Sequence, residues 1–162
     1  RSNSAMGRLH VFQMLGAYGY GTEVTKLEFS PIDEVAHAIM LLSTTPSECC
    51  VFHPFNNHNQ HVGDVVREMA TTLGTEINEV EDIEFDAILN EAAQDAEKAK
   101  VLQSLLAYQA GGKDKMTVFH KYNPYTVQVL ARLGFHWNVT SWDYVHRFIE
   151  AIAAFDFFED RR

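Results

Sequence analysis

Apolar residues recur at helical spacing along most of this chain, and only three short stretches read as strands. That imbalance constrains the fold more than any other feature. The order runs helix, strand, helix, strand, helix, strand, then four helices. Three isolated strands do not make a stable sheet by themselves. The expectation is a mostly α body with a few short strands, an α/β fragment whose strands pair with sequence from elsewhere.

The elements follow from local chemistry. A first helix is expected over 5–17, broken by the glycine-rich turn Tyr18 to Gly21. Lys26 to Phe29 reads as a strand. Ser30-Pro31-Ile32-Asp33 reads as a capped helix start, and the helix should bury Val35, Ala38, Ile39 and Leu42. Cys50 to His53 reads as a strand stopped by Pro54, followed by a polar loop from Asn56 to Gln60. Val62, Val65, Val66, Met69 and Leu73 mark an amphipathic helix that Gly74 ends. Ile77 to Val80 is the third strand.

Two helices are then expected over 83–93 and 95–108, the second turning Leu102, Leu105 and Leu106 inward, with a turn at Gly111 to Asp114. Asn123-Pro124 should cap and start a helix that Gly134 ends. The spacing from Thr140 to Asp143 suggests a capping box. It opens a last helix with Trp142, Val145, Phe148, Ile149 and Ile152 on one stripe.

Composition narrows the class. With 162 residues, 46% of them hydrophobic and 12% aromatic, the chain supports one folded core but not two full domains. No apolar run approaches the roughly 20 residues that span a bilayer. The polar start, Arg1 to Met6, does not read as a signal peptide and lacks an initiator Met at position 1, as the middle of a longer polypeptide would. The net charge of −9 is concentrated: Glu76 to Glu97 holds nine acids and no Lys or Arg. That pattern reads as a solvated helical face. Elsewhere acids and bases balance, so no basic face suits nucleic acid. Adjacent Cys49 and Cys50 make no disulfide scaffold, which favours a reducing, cytoplasmic setting.

Few residue patterns in the chain carry chemistry. The glycines of 16–21 follow a helix, not the strand that a dinucleotide turn requires. Tyr108 and Lys113 are five apart across Gly111-Gly112, so they do not share a helix face. His53, His58 and His61 straddle a polar loop without metal-ligand spacing. No Gly-x-Ser-x-Gly elbow occurs. Neither a catalytic, a cofactor nor a metal site is expected within these residues. The aromatic tail of Phe155, Phe157 and Phe158 reads either as core or as a docking surface.

Leu27-Glu28-Phe29-Ser30-Pro31-Ile32-Asp33-Glu34-Val35-Ala36 resembles the strand-to-helix segment of extended short-chain dehydrogenase/reductases. Val51-Phe52-His53-Pro54-Phe55-Asn56-Asn57 is similar to their following core strand. The helix at Ile83 to Leu89, Leu105 to Tyr108, the Tyr125 to Trp137 segment and the final helix resemble the carboxy-terminal part of thioester reductase domains of nonribosomal peptide synthetases.

The resemblance implies a single substrate-binding subdomain over 1–162, the carboxy-terminal part of an extended Rossmann-type reductase whose cofactor half is absent. The parent would use NADPH to reduce a thioester carried on phosphopantetheine by a carrier protein. No catalytic residue of the family can be assigned here, so the fragment itself should be inactive. Its partners would be its own upstream Rossmann half and the carrier-bound thioester, with no nucleic acid or membrane. Self-association of a bare Rossmann-facing surface is a further expectation. Met14, Tyr18, Tyr20 and Phe55 are the candidate substrate-binding residues, an apolar wall for a long acyl-pantetheine arm. Two other readings stay open: a non-enzymatic helical interaction module, and a fragment of another extended reductase such as a carboxylic acid or fatty-acyl reductase.

Overall fold

A computed structural model describes residues 4–23, 25–46, 48, 51–109, 122–155, 157 and 158, with backbone alone for 4 and 104–109. The expected Gly111 to Asp114 turn, both cysteines and the Leu105 and Leu106 side chains lie outside the described residues. Among the described residues the chain is mostly helical, with four three-residue strands. Among the described residues no helix is long and apolar enough to cross a membrane. Two compact units emerge, one from residues 1–27, 61–116 and 141–162, the other from 28–60 and 117–140.

The larger unit holds α1 (Ser4–Leu15), β1 (Ala17–Gly19), α2 (Tyr20–Glu23), α4 (Val62–Leu73), β4 (Asn78–Val80), α5 (Asp82–Ala92), α6 (Ala96–Gln109) and α8 (Trp142–Ala154). The apolar stripe of α4 is buried at Val62, Val65, Val66 and Met69, whereas Leu73 at its end is only half-buried. Gly74 closes that helix at φ 62°, and the Thr75 amide reaches back to the Ala70 carbonyl at 3.0 Å. In α8 Val145 and Ile149 are buried, but Trp142 stays 47% exposed, so the expected stripe is narrower than its sequence. Leu9, Val11 and Phe12 supply the core from α1.

The stretch expected as a turn at Tyr18 to Gly21 is instead β1, a buried strand, followed by α2. β1 runs parallel to β4, with Ala17 opposite Asn78, Tyr18 opposite Glu79 and Gly19 opposite Val80. The expectation that the strands need outside partners is therefore corrected. They pair within the chain, β1 with β4, and β2 (Lys26–Glu28) with β3 (Asn59–His61). β3 also replaces the end of the expected polar loop. All nine acids of 76–97 are exposed, as a solvated face requires. Phe157 and Phe158 meet His10 edge-on at 5.9 and 6.3 Å, while Phe155 remains 78% exposed.

The smaller unit is built on α3 (Ile32–Leu42) and α7 (Pro124–Arg132). Ala38, Leu42, Leu130, Phe135 and Trp137 form its core. Gly134, at φ 82°, ends α7 as expected, with the Phe135 amide bonded to the Leu130 carbonyl at 2.9 Å. Ile39, expected to be buried, is half exposed. Residues 51–53 form no strand.

The capping expectations fail here for one reason. Ser30 makes no cap to α3; its hydroxyl donates to Glu28 Oε1 at 2.7 Å and accepts from the Asn56 amide. Asn123 holds the cap position of α7, with Pro124 in the first turn as expected, but its side chain makes no cap bond and donates to the carbonyls of His53 and Phe55, at 3.2 and 2.6 Å. Thr140 donates to the His58 carbonyl at 2.6 Å, and Ser141 takes the cap position of α8 without a side-chain bond. Half-buried loop backbone needs partners just as a helix end does. The irregular run from residue 51 to 58 recruits these side chains first.

Candidate functional site

Three of the four candidate residues lie in the larger unit. Met14 sits half-buried near the end of α1, and Tyr20 opens α2 with its ring 58% exposed. Tyr18, on β1, is only 2% exposed and packs against Phe12 with ring centroids 6.2 Å apart. Its hydroxyl lies 3.3 Å from both Glu23 Oε2 and Glu79 Oε2, and accepts from Arg67 Nη1 at 3.2 Å.

Arg67 organises this cluster from α4. Its guanidinium holds Glu23 through two bonds, at 2.9 and 2.8 Å, and Asp64 through a third, at 2.6 Å. Such a two-pronged pairing matches the planar fork of the guanidinium. The Arg67 hydrogen bonds hold the Glu23 carboxyl below its usual range. Burial, reinforced by the Glu23 charge, pushes the Tyr18 phenol up to about 12. A phenol so raised stays protonated near neutral pH and cannot serve as a general base. The cluster positions α2, and with it the exposed ring of Tyr20.

Glycine makes the close approaches possible. A Cβ on Gly63 would stand 1.5 Å from Glu23 Oε2, and one on Gly19 would stand 2.7 Å from Asp82 Oδ1. The Gly21 amide donates to Asp82 Oδ1 at 2.8 Å. These glycines therefore admit carboxylates rather than simply bending the chain. The arrangement does not fit a dinucleotide: α2 is a single four-residue turn, and its free amide already holds an acid where a pyrophosphate would sit. Glu23, Glu79 and Asp82 would repel such an anion further.

Phe55 belongs to the smaller unit and is half-buried. Its amide bonds to the His53 carbonyl across Pro54 at 3.0 Å, and its carbonyl is held by Asn123. Nearby in that unit is an open groove of about 440 Å³, walled by Ile39, Leu42, Pro46, Phe52 and Pro54. Phe52 stacks flat on Tyr125, at 5.8 Å and 4°. The groove hydroxyls, Ser43 and Thr45, turn back onto the carbonyls of Met40 and Leu42. Sequence reasoning missed this groove, although Ile39 beside Met40 breaks the helical stripe and was a usable signal. Among the described residues no three His, Cys, Asp or Glu side chains gather to hold a metal ion.

No protein-family model matches the chain, and no curated protein matches it. Solved structures do. A thiolation-reductase di-domain from an archaeal non-ribosomal peptide synthetase is 29% identical, with a TM-score of 0.81 over 97% of this chain and 32% of its own. The reductase domain of an aureusimine biosynthetic cluster shares the fold at 16% identity, with a TM-score of 0.69 over 95% of this chain and 38% of its own. The chain thus spans about a third of the length of the structures it matches. By fold it corresponds to part of a nonribosomal peptide synthetase reductase, in agreement with the resemblance its sequence carries.

Proposed function

We propose that the chain is the carboxy-terminal, substrate-covering subdomain of an extended Rossmann-type thioester reductase. In that reading the parent protein uses NADPH to release an acyl or peptidyl group from a phosphopantetheine arm, in a cytoplasmic setting. The observation that carries it is the similarity over 97% of this chain to one third of a thiolation-reductase di-domain. The thiolation part of that neighbour supports a carrier protein as partner of the parent. The Asp82 carboxylate that occupies the Gly21 amide after β1 supports a cofactor held by other sequence.

Met14 and Tyr20 offer apolar surface to the substrate arm from the larger unit, with Tyr18 fixing the strand beneath. Titrating NADPH into the purified chain tests the cofactor assignment: no saturable change in nicotinamide fluorescence is expected, and micromolar binding would overturn it. Substituting Tyr20→Ala in the parent reductase should raise KM for the carrier-bound thioester and leave NADPH affinity unchanged. An unchanged KM would remove Tyr20 from the substrate surface.

A further inference from the structure

Outside the cluster already described, one titratable group joins two helices of the larger unit. Glu68 lies on α4 with its side chain only 10% exposed, and its Oε1 has two side-chain contacts. One is the Thr72 hydroxyl at 3.3 Å; the other is His146 Nδ1 on α8 at 2.5 Å. The opposite ring nitrogen of His146 lies 3.4 Å from Glu150 Oε1, one turn along α8. The charged groups around the ring are thus Glu68 from α4, and Glu150 and Asp143 from α8 itself. Arg67, next to Glu68 in the chain, is committed to Glu23 and Asp64.

A neutral imidazole carries one N–H and can donate to one carboxylate only; the imidazolium donates to two. A carboxylate as enclosed as Glu68 is costly without a paired charge. We propose that His146 is a pH-sensitive clamp, fastening α8 to α4 when both ring nitrogens carry protons and loosening it when one is lost. The inference does not rest on the reductase reading.

The direction follows from linkage. The hydrogen bond to Glu68, with the nearby carboxylates, raises His146 above its ordinary 6.5. A raised cation contributes stability fully below the ordinary value and loses it as pH climbs through the folded value. Loosening is therefore an alkaline event, in which the neutral ring keeps one N–H for Glu68 but loses the paired charge.

Amide hydrogen exchange on the whole chain, corrected for intrinsic rates, reads the clamp directly, while NMR of the His146 ring follows its proton. Protection of the α8 amides should fall severalfold as pH rises through the His146 titration, while buried amides of α4 change less. His146→Gln keeps one donor without charge. It should flatten that dependence at the loosened level. Glu68→Gln should lower the His146 midpoint toward 6.5. An α8 whose protection ignores the His146 titration overturns the proposal, as does a midpoint unmoved by Glu68→Gln; the first of these needs no variant.

Discussion

The two units solve the same problem with different chemistry. In the larger one, polar side chains are matched by charge, mostly at partly exposed positions: Arg67 against Glu23 and Asp64, His146 against the enclosed Glu68. In the smaller one, amides and hydroxyls do most of that work: Asn56 donates to the Asn138 carbonyl, Asn123 to His53 and Phe55, and Thr126 accepts from the His53 amide, while Glu28 and Glu34 accept from neutral donors. Charge pairs are tuned by pH and salt, whereas carboxamide bonds are not. The difference assigns environmental sensitivity to one unit and geometric rigidity to the other.

The largest effect should come from the small core. Trp137→Ala removes a side chain 6% exposed and packed edge-on against Phe135, and should cost about 3–5 kcal/mol in urea unfolding. Exchange protection should be lost most in α3 and α7; equal loss in α4 would dissolve the contrast between the units. Next comes Asn123→Ala, which orphans two loop carbonyls and should cost about 1–3 kcal/mol at every pH. A strong pH dependence of that cost would show that charge matters in the smaller unit after all.

Gly63→Ala sharpens the other side. The added methyl must expel the Glu23 carboxylate from Arg67, at a cost of about 1–3 kcal/mol. Combined with Glu23→Ala, the two costs should sum to clearly more than the double variant shows, because the clash has already been relieved. Simple additivity would place the strain elsewhere. The smallest effect is acid. Glu23 is held below its usual range, so its contribution is present above the unfolded value and is lost as pH falls through the folded one. A partly exposed pair such as this is worth up to about 1 kcal/mol. Mild acid should therefore erode protection of α2 before that of α7.

Long amphipathic helices were legible in the sequence because their period repeats several times. Val62 to Leu73 with Gly74 behind it is the plainest case. Three-residue strands offer no such repetition, so β1 passed for a turn, and its pairing with the strand legible over Ile77 to Val80 could not be inferred. Caps misled for a related reason. A motif such as Asn123-Pro124 specifies a local bond, yet the side chain answers to the carbonyls of 53 and 55, which only the fold brings near. The same holds at the candidate site. Tyr20 was recognisable as a glycine-flanked aromatic, but the acid that Gly21 receives from Asp82 was not.

The way the chain divides also sets an order of assembly. The larger unit is drawn from three separated stretches, the last of which begins at Ser141, whereas the smaller unit is complete by Thr140. Emerging from a ribosome amino end first, the chain can finish the smaller unit before α8 exists. Until then the α4 face that α8 will cover, along with the Glu68 carboxylate, waits without its partner. α8, made after the smaller unit, is thus the helix that seals the larger unit, and nascent chains stopped near residue 140 should be the species most in need of chaperone protection.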